Sequence, residues 1–181
     1  MIKTILLAIF ASAVVFIVYM YQHLGWSNQV QVEEASLGPF YLLQKEHMGP
    51  YHKIVETIQL VEKLARDRNW PCPQTFGEFL DDPATMDEDR LRANAGCVLT
   101  VELKAEDLPA GIRLRERPSQ PYVVARFSGA PSLGPLKVYP AARAYIDEHR
   151  LNADPTTVIE IYTVHGQNVE TQYLFPLAPG P

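Results

Sequence analysis

The sequence has only two cysteines in 181 residues, no proline before Pro39 and no charged side chain from Ile5 to Tyr21. Each scarcity excludes something. Two cysteines are too few for a disulfide-stapled miniprotein or a four-cysteine zinc site. Sixteen Lys plus Arg against 21 Asp plus Glu give a formal charge of -5. No basic footprint for a phosphate backbone is left, so no nucleic-acid partner is expected. No P-loop, nucleophile elbow, dinucleotide fingerprint or Cys-x-x-Cys pair is found, which removes the commonest nucleotide, hydrolase and redox signatures. What remains, 47% apolar and 20% charged, is a globular composition.

Metals are also poorly served. His47 and His52 are five apart across Gly49-Pro50, which is not helical ligand spacing. Asp81-Asp82 and Asp87-Glu88-Asp89 lack the alternate-ligand spacing and central glycine of a calcium loop. No metal, haem or other cofactor is expected. Cys72 and Cys97 would bridge in an oxidising compartment if they meet in space, which the sequence leaves open.

The charge-free stretch from Ile5 to Tyr21 is apolar except for Ser12. It reaches the lower limit for spanning a hydrocarbon core, with Leu24 and Trp26 extending it. Tyr19, Tyr21 and Trp26 cluster at one end, as at a membrane interface. Lys3 precedes the span, whereas Glu33 and Glu34 follow it and no further cation occurs before Lys45. The positive-inside rule then places the N-terminus in the cytoplasm and the rest outside, in the periplasm if the host is bacterial. An uncleaved anchor is favoured over a cleaved signal, whose Ala11-Ser12-Ala13 site would fall too early, and over a buried core helix. The expected organisation is an anchor over 1–24, a polar tether over 25–38, a domain over 39–177 and a tail over 178–181. Val30-Gln31-Val32-Glu33 alternates and begins a first strand if that segment pairs.

The domain reads as two similar halves. Phe40 to His47 is strand-like, Tyr51 to Arg68 helical, and Phe76 to Leu80 and Cys97 to Leu103 strand-like. Tyr122 to Phe127, the helix Pro135 to His149, Val158 to Val164 and Val169 to Phe175 repeat that order. Leu136, Tyr139, Ala142, Tyr145 and Ile146 are expected on one helical face. Ile112 to Arg117 adds an edge strand whose Arg113, Arg115 and Arg117 keep one side solvated. The expected fold is α+β: duplicated strand-helix-strand-strand halves forming an antiparallel sheet with two helices on one face, preceded by one transmembrane helix.

Leu42 to Tyr51 (LLQKEHMGPY), Phe79 to Gly96 (FLDDPATMDEDRLRANAG) and Val158 to Tyr162 (VIEIY) resemble the gyrase-inhibitor-like (GyrI-like) small-molecule-binding family. Tyr139-Pro140-Ala141, Tyr145-Ile146 and Ile159-Glu160-Ile161-Tyr162 are similar, in order and spacing, to its membrane-anchored branch, which includes a vertebrate ER-phagy receptor with one N-terminal span. The resemblance implies two strand-helix-strand-strand repeats about a pseudo-twofold axis. It also implies a pocket glutamate at Glu160 that meets cationic, aromatic ligands or, in some relatives, supports hydrolysis of strained electrophiles. No counterpart of the receptor's long tail or of a regulator's helix-turn-helix is seen, so neither autophagy nor DNA regulation is expected.

Glu160 stands out from the residues alone. Period-2 alternation puts it with Val158, Tyr162 and Val164 on one face of the most apolar strand. A carboxylate there must be paired, protonated or functional, unless that face is open to water. Aromatic residues, among them Phe40, Tyr41, Phe79, Tyr122, Phe127, Tyr139 and Tyr173, supply a pocket suited to flat or cationic ligands. Tyr51, Tyr145 and Tyr162 are the preferred lining residues from motif position. Three functions follow: a membrane-tethered binding domain, a sensor or sink; a hydrolase of reactive xenobiotics with Glu160 as the catalytic acid or base; or a module for an envelope protein partner.

Overall fold

In the computed structural model the alternating and helical segments resolve into eight strands and three helices among the described residues, which are 2–100, 103, 108–154, 157–166 and 168–178. Helix α1 is Ile2–His23. Strands β1 (Gln31–Leu37) and β2 (Phe40–Met48) lead to α2 (Ile54–Asp67), β3 (Gln74–Phe79) and β4 (Arg92–Leu99). Strands β5 (Ile112–Arg117) and β6 (Gln120–Ser128) lead to α3 (Gly134–His149), β7 (Val158–His165) and β8 (Asn168–Pro176). All strands join one antiparallel sheet in the order β1-β6-β8-β7-β3-β4-β2-β5, with α2 and α3 on the same face. The α+β expectation and the duplicated halves hold, and the axis relating them passes between β3 and β7.

Each half also has a leading strand, and the halves exchange them: β1 pairs with β6, and β5 with β2. The segment expected as a tether therefore supplies β1, an edge strand of the sheet. Gly38-Pro39 and Pro118-Ser119 each join strands near opposite ends of the sheet order. Two residues reach only on the order of 10 Å, so the sheet curls until its ends meet. Gly38 lies so close to the second link that an added Cβ would come within 3.1 Å of the Ser119 Cα. The curl buries Leu42, Phe76, Val98, Tyr122, Val124, Ile159, Ile161 and Leu174 on the helix-free, inner face.

The inner face also holds an ion network. The Glu78 carboxylate, 2% exposed, accepts from Arg117 Nη1 (2.5 Å), Arg115 Nη1 (2.8 Å) and Asn94 Nδ2 (2.9 Å). Arg117 Nε donates to the Tyr122 hydroxyl at 2.9 Å, tying β5 to β6 across the curl. The β5 arginines thus do not simply keep one side solvated, because the curl turns two of them inward onto an acid. Around them lies an open cleft of about 600 Å³.

Two expected elements move. The strand expected over Cys97 to Leu103 is Arg92–Leu99, and Val101 and Glu102 lie outside the described residues. Its start is poor in β-formers because α2 packs onto it closely. An added Cβ on Gly96 would sit 2.0 Å from the Leu43 carbonyl oxygen and 2.9 Å from Val61 Cγ1. On α3, Gly134, Val138 and Ala142 are the buried residues, whereas Leu136, expected on the inward face, is 66% exposed. Cys72 and Cys97 form a disulfide with Cα atoms 5.4 Å apart, tying the segment after α2 to β4. Helix α1 runs 22 residues with a mean hydropathy of 2.4 and is long and apolar enough to cross a bilayer.

Candidate ligand-binding site

Strand β7 pairs with β3 on one side and β8 on the other, which sets Glu160 at the middle of the sheet, opposite Gly77 and Tyr173. Alternation turns Glu160 towards the helices, together with Tyr162 on its own strand and Thr171 and Tyr173 on β8. Glu160 is 5% exposed, so this face is covered and not open to water. Its carboxylate accepts from the Tyr162 hydroxyl at 2.8 Å and from the Tyr139 hydroxyl of α3 at 3.3 Å. Burial pushes the Glu160 carboxyl up to about 7, and the two phenols offset only part of that. Among the described residues, no cation balances it.

The phenols respond in kind. Burial, then the adjacent Glu160 carboxylate, raises Tyr139, Tyr162 and Tyr173 above an ordinary tyrosine. The hydroxyls of Tyr173 and Thr171 are buried against each other, and among the described residues neither has a hydrogen-bond partner beyond that contact. Tyr139 packs edge-on against Tyr173 and Phe175, with ring centroids at 6.1 and 5.7 Å. A polar island of one acid, three phenols and a threonine hydroxyl therefore sits inside an otherwise apolar cluster of Val123, Phe127, Val138, Val158 and Phe175. Such an island is costly unless its groups find partners.

The first turn of α3 covers Tyr173 closely. A Cβ on Gly134 would fall 1.7 Å from the Tyr173 hydroxyl, so only glycine fits. Pro140 lies inside the helix. Its missing N–H leaves the Leu136 carbonyl without its usual partner, which loosens that turn.

Two of the lining residues expected from sequence behave differently from Tyr162. Tyr51 lies near enough to Tyr139 for their charged forms to repel, yet its hydroxyl is engaged by Asp81. It donates to the Asp81 carbonyl at 2.8 Å and accepts from the Asp81 N–H at 3.0 Å, at the edge of the site. Tyr145 stacks on His149 with centroids 4.0 Å apart, one turn along α3. Its described contacts do not include Glu160. The phenols of Tyr139 and Tyr173 stand beside Glu160; both belong to the aromatic set in the sequence, and the helical and strand phases bring them there.

A family model for the GyrI-like small-molecule-binding domain matches residues 30–178. The chain belongs to this GyrI-like family. The match begins just before β1, which agrees with that strand's place in the sheet. Among solved structures, the EcmrR C-terminal domain aligns with a TM-score of 0.64 at 12% identity, covering 83% of this chain and 99% of that one. SAV2435 bound to tetraphenylphosphonium aligns at 0.52 and 12%, covering 82% and 94%. A hydrolase from Listeria innocua aligns at 0.52 and 11%, covering 83% and 93%. At such identities the likeness shows the GyrI-like fold alone. No curated protein matches the chain. Among the described residues, no group of three or more His, Cys, Asp and Glu side chains is placed to hold a metal.

Proposed function

We propose that this GyrI-like chain is a membrane-tethered small-molecule-binding domain, a sensor or sink, whose ligand is a lipophilic, aromatic cation held at Glu160. The observation that carries this is a buried carboxyl with phenols but, among the described residues, no cation around it. A cation supplies the missing charge, and the rings of Tyr139, Tyr162 and Tyr173 offer stacking and cation–π attraction. The ligand enters by displacing the first turn of α3, which Pro140 weakens and which roofs Tyr173. SAV2435 binds such a cation, tetraphenylphosphonium, which makes that ion a suitable probe.

Helix α1 is the tether, with Lys3 on the cytoplasmic side and the domain outside. The disulfide supports that side, since such bridges persist in oxidising compartments.

The test is titration with tetraphenylphosphonium at pH 8, followed by intrinsic fluorescence and melting temperature. Wild type responds, and Glu160→Gln binds at least tenfold more weakly. Equal responses in the two remove Glu160 from the site. A hydrolytic reading rests on the same carboxyl, whose ionisation near neutrality suits a general base. Turnover of a strained electrophile, abolished in Glu160→Gln, would select it.

A further inference from the structure

We infer that the domain does not hang on a flexible linker but is clamped to the end of its own membrane helix. The surface around Ser128–Lys137 would then rest on the bilayer interface. This rests on α1 being an anchor, as proposed above, and concerns what the anchor does to the domain.

The chain from α1 to the domain has no slack. Helix α1 ends at His23, and the next residue, Leu24, already accepts a hydrogen bond from the Ala130 N–H at 3.0 Å. Gly25 follows at φ +76°, buried against Gly129; a Cβ there would come within 2.9 Å of the Gly129 Cα and the Ser128 carbonyl oxygen. Asn28 Nδ2 donates to the Ser128 carbonyl at 2.5 Å. Lys137 Nζ, from the first turns of α3, donates to the Trp26 carbonyl at 2.7 Å and also to that of Asn28. Leu24 itself packs on the core beneath α3.

The length of α1 decides where this seam lies. Twenty-two residues rise about 33 Å, close to a hydrocarbon core of about 30 Å. His23 therefore reaches the headgroup level, and the seam at Leu24–Asn28 lies in the interface. Apolar side chains left bare at this end of the domain fit that placement. Trp26 is 45% exposed and Leu136 66%. Val164, also 66% exposed, sits by the β7–β8 turn, paired with Val169 of β8, whose carbonyl accepts from the Gly129 N–H. The α3 turn that roofs Tyr173 would then face the lipid interface, where lipophilic cations concentrate.

The experiment uses the full chain in nanodiscs of phosphatidylcholine and phosphatidylglycerol. An environment-sensitive fluorophore is placed on Val15→Cys, Leu136→Cys or Met48→Cys, and quenching by nitroxide-labelled lipid is read. The native cysteines are bridged, so the introduced thiol alone reacts. Five antiparallel pairings separate β2 from β6, so Met48 lies at the opposite end of the sheet from Ser128. Quenching is expected at 15 and 136 and not at 48. Quenching at 15 without 136 overturns the clamp while leaving the anchor standing. No quenching at 15 overturns the anchor and the clamp together. Gly25→Val, which strains and crowds the seam, should lose quenching at 136 and keep it at 15. Unchanged quenching at 136 in that variant also overturns the clamp.

Discussion

At the scale of the residue, Glu160 governs behaviour with pH. Its carboxyl ionises at about 7 in the folded protein against 4.5 ordinarily. Between those values the folded protein keeps a proton that the unfolded chain has released. The stability associated with the neutral carboxyl is present below the lower value and is lost as pH rises to the upper one, by about 3 kcal/mol in all. Glu160→Gln does not titrate, so its stability relative to wild type should rise by that amount from pH 4 to pH 8 in urea unfolding. A constant difference would contradict the assignment. Gly134→Ala should destabilise the domain by several kcal/mol, because its methyl overlaps the Tyr173 hydroxyl. Tyr173→Phe should relieve part of that loss, read as a higher melting temperature in the double variant.

Glu160 was legible in sequence because a lone acid in an apolar strand has few explanations. Tyr145 was placed by motif; it packs against the same core cluster, but no described contact joins it to Glu160. Six residues from Tyr139 at 100° each turn it about 120° away around α3, where it meets His149 instead.

At the scale of the element, β4 and the strand exchange were the least legible parts. Arg92-Ala93-Asn94-Ala95-Gly96 has the wrong residues for an exposed strand and the right ones for a central strand pressed by α2. Tertiary crowding overrides β propensity there. The partners of β1 and β5 depend on two short links crossing between sheet ends, which no local pattern records. The Glu78 network follows from that exchange and was missed with it. Glu78→Gln should cost about 3 kcal/mol, because it removes the charge facing the largely buried Arg117. Chemical denaturation measures this. Reducing the Cys72–Cys97 bridge, which spans 25 residues, should cost about 3 kcal/mol by loop entropy and lower the melting temperature in dithiothreitol.

At the scale of the whole molecule, the charge-free N-terminal run and the antiparallel α+β fold were readable from pattern alone, since both are repetitive signals over many residues. The junction between them was not. A polar segment reads as a linker, whereas Gly25 against Gly129 and Leu24 against Ala130 make it a seam. The proposed orientation predicts that protease added outside intact cells or spheroplasts degrades the domain. Full protection of residues beyond the span would contradict it.

The central claim is that a cation binds beside Glu160 and draws its carboxyl into the charged form. Isothermal calorimetry of tetraphenylphosphonium binding in two buffers of different ionisation enthalpy counts the protons released. With a carboxyl at about 7, wild type should release about 0.9 proton at pH 6 and about 0.1 at pH 8. Glu160→Gln should release none at either pH. Binding by wild type with no proton release at pH 6, or the same release from the Gln variant, would contradict the account.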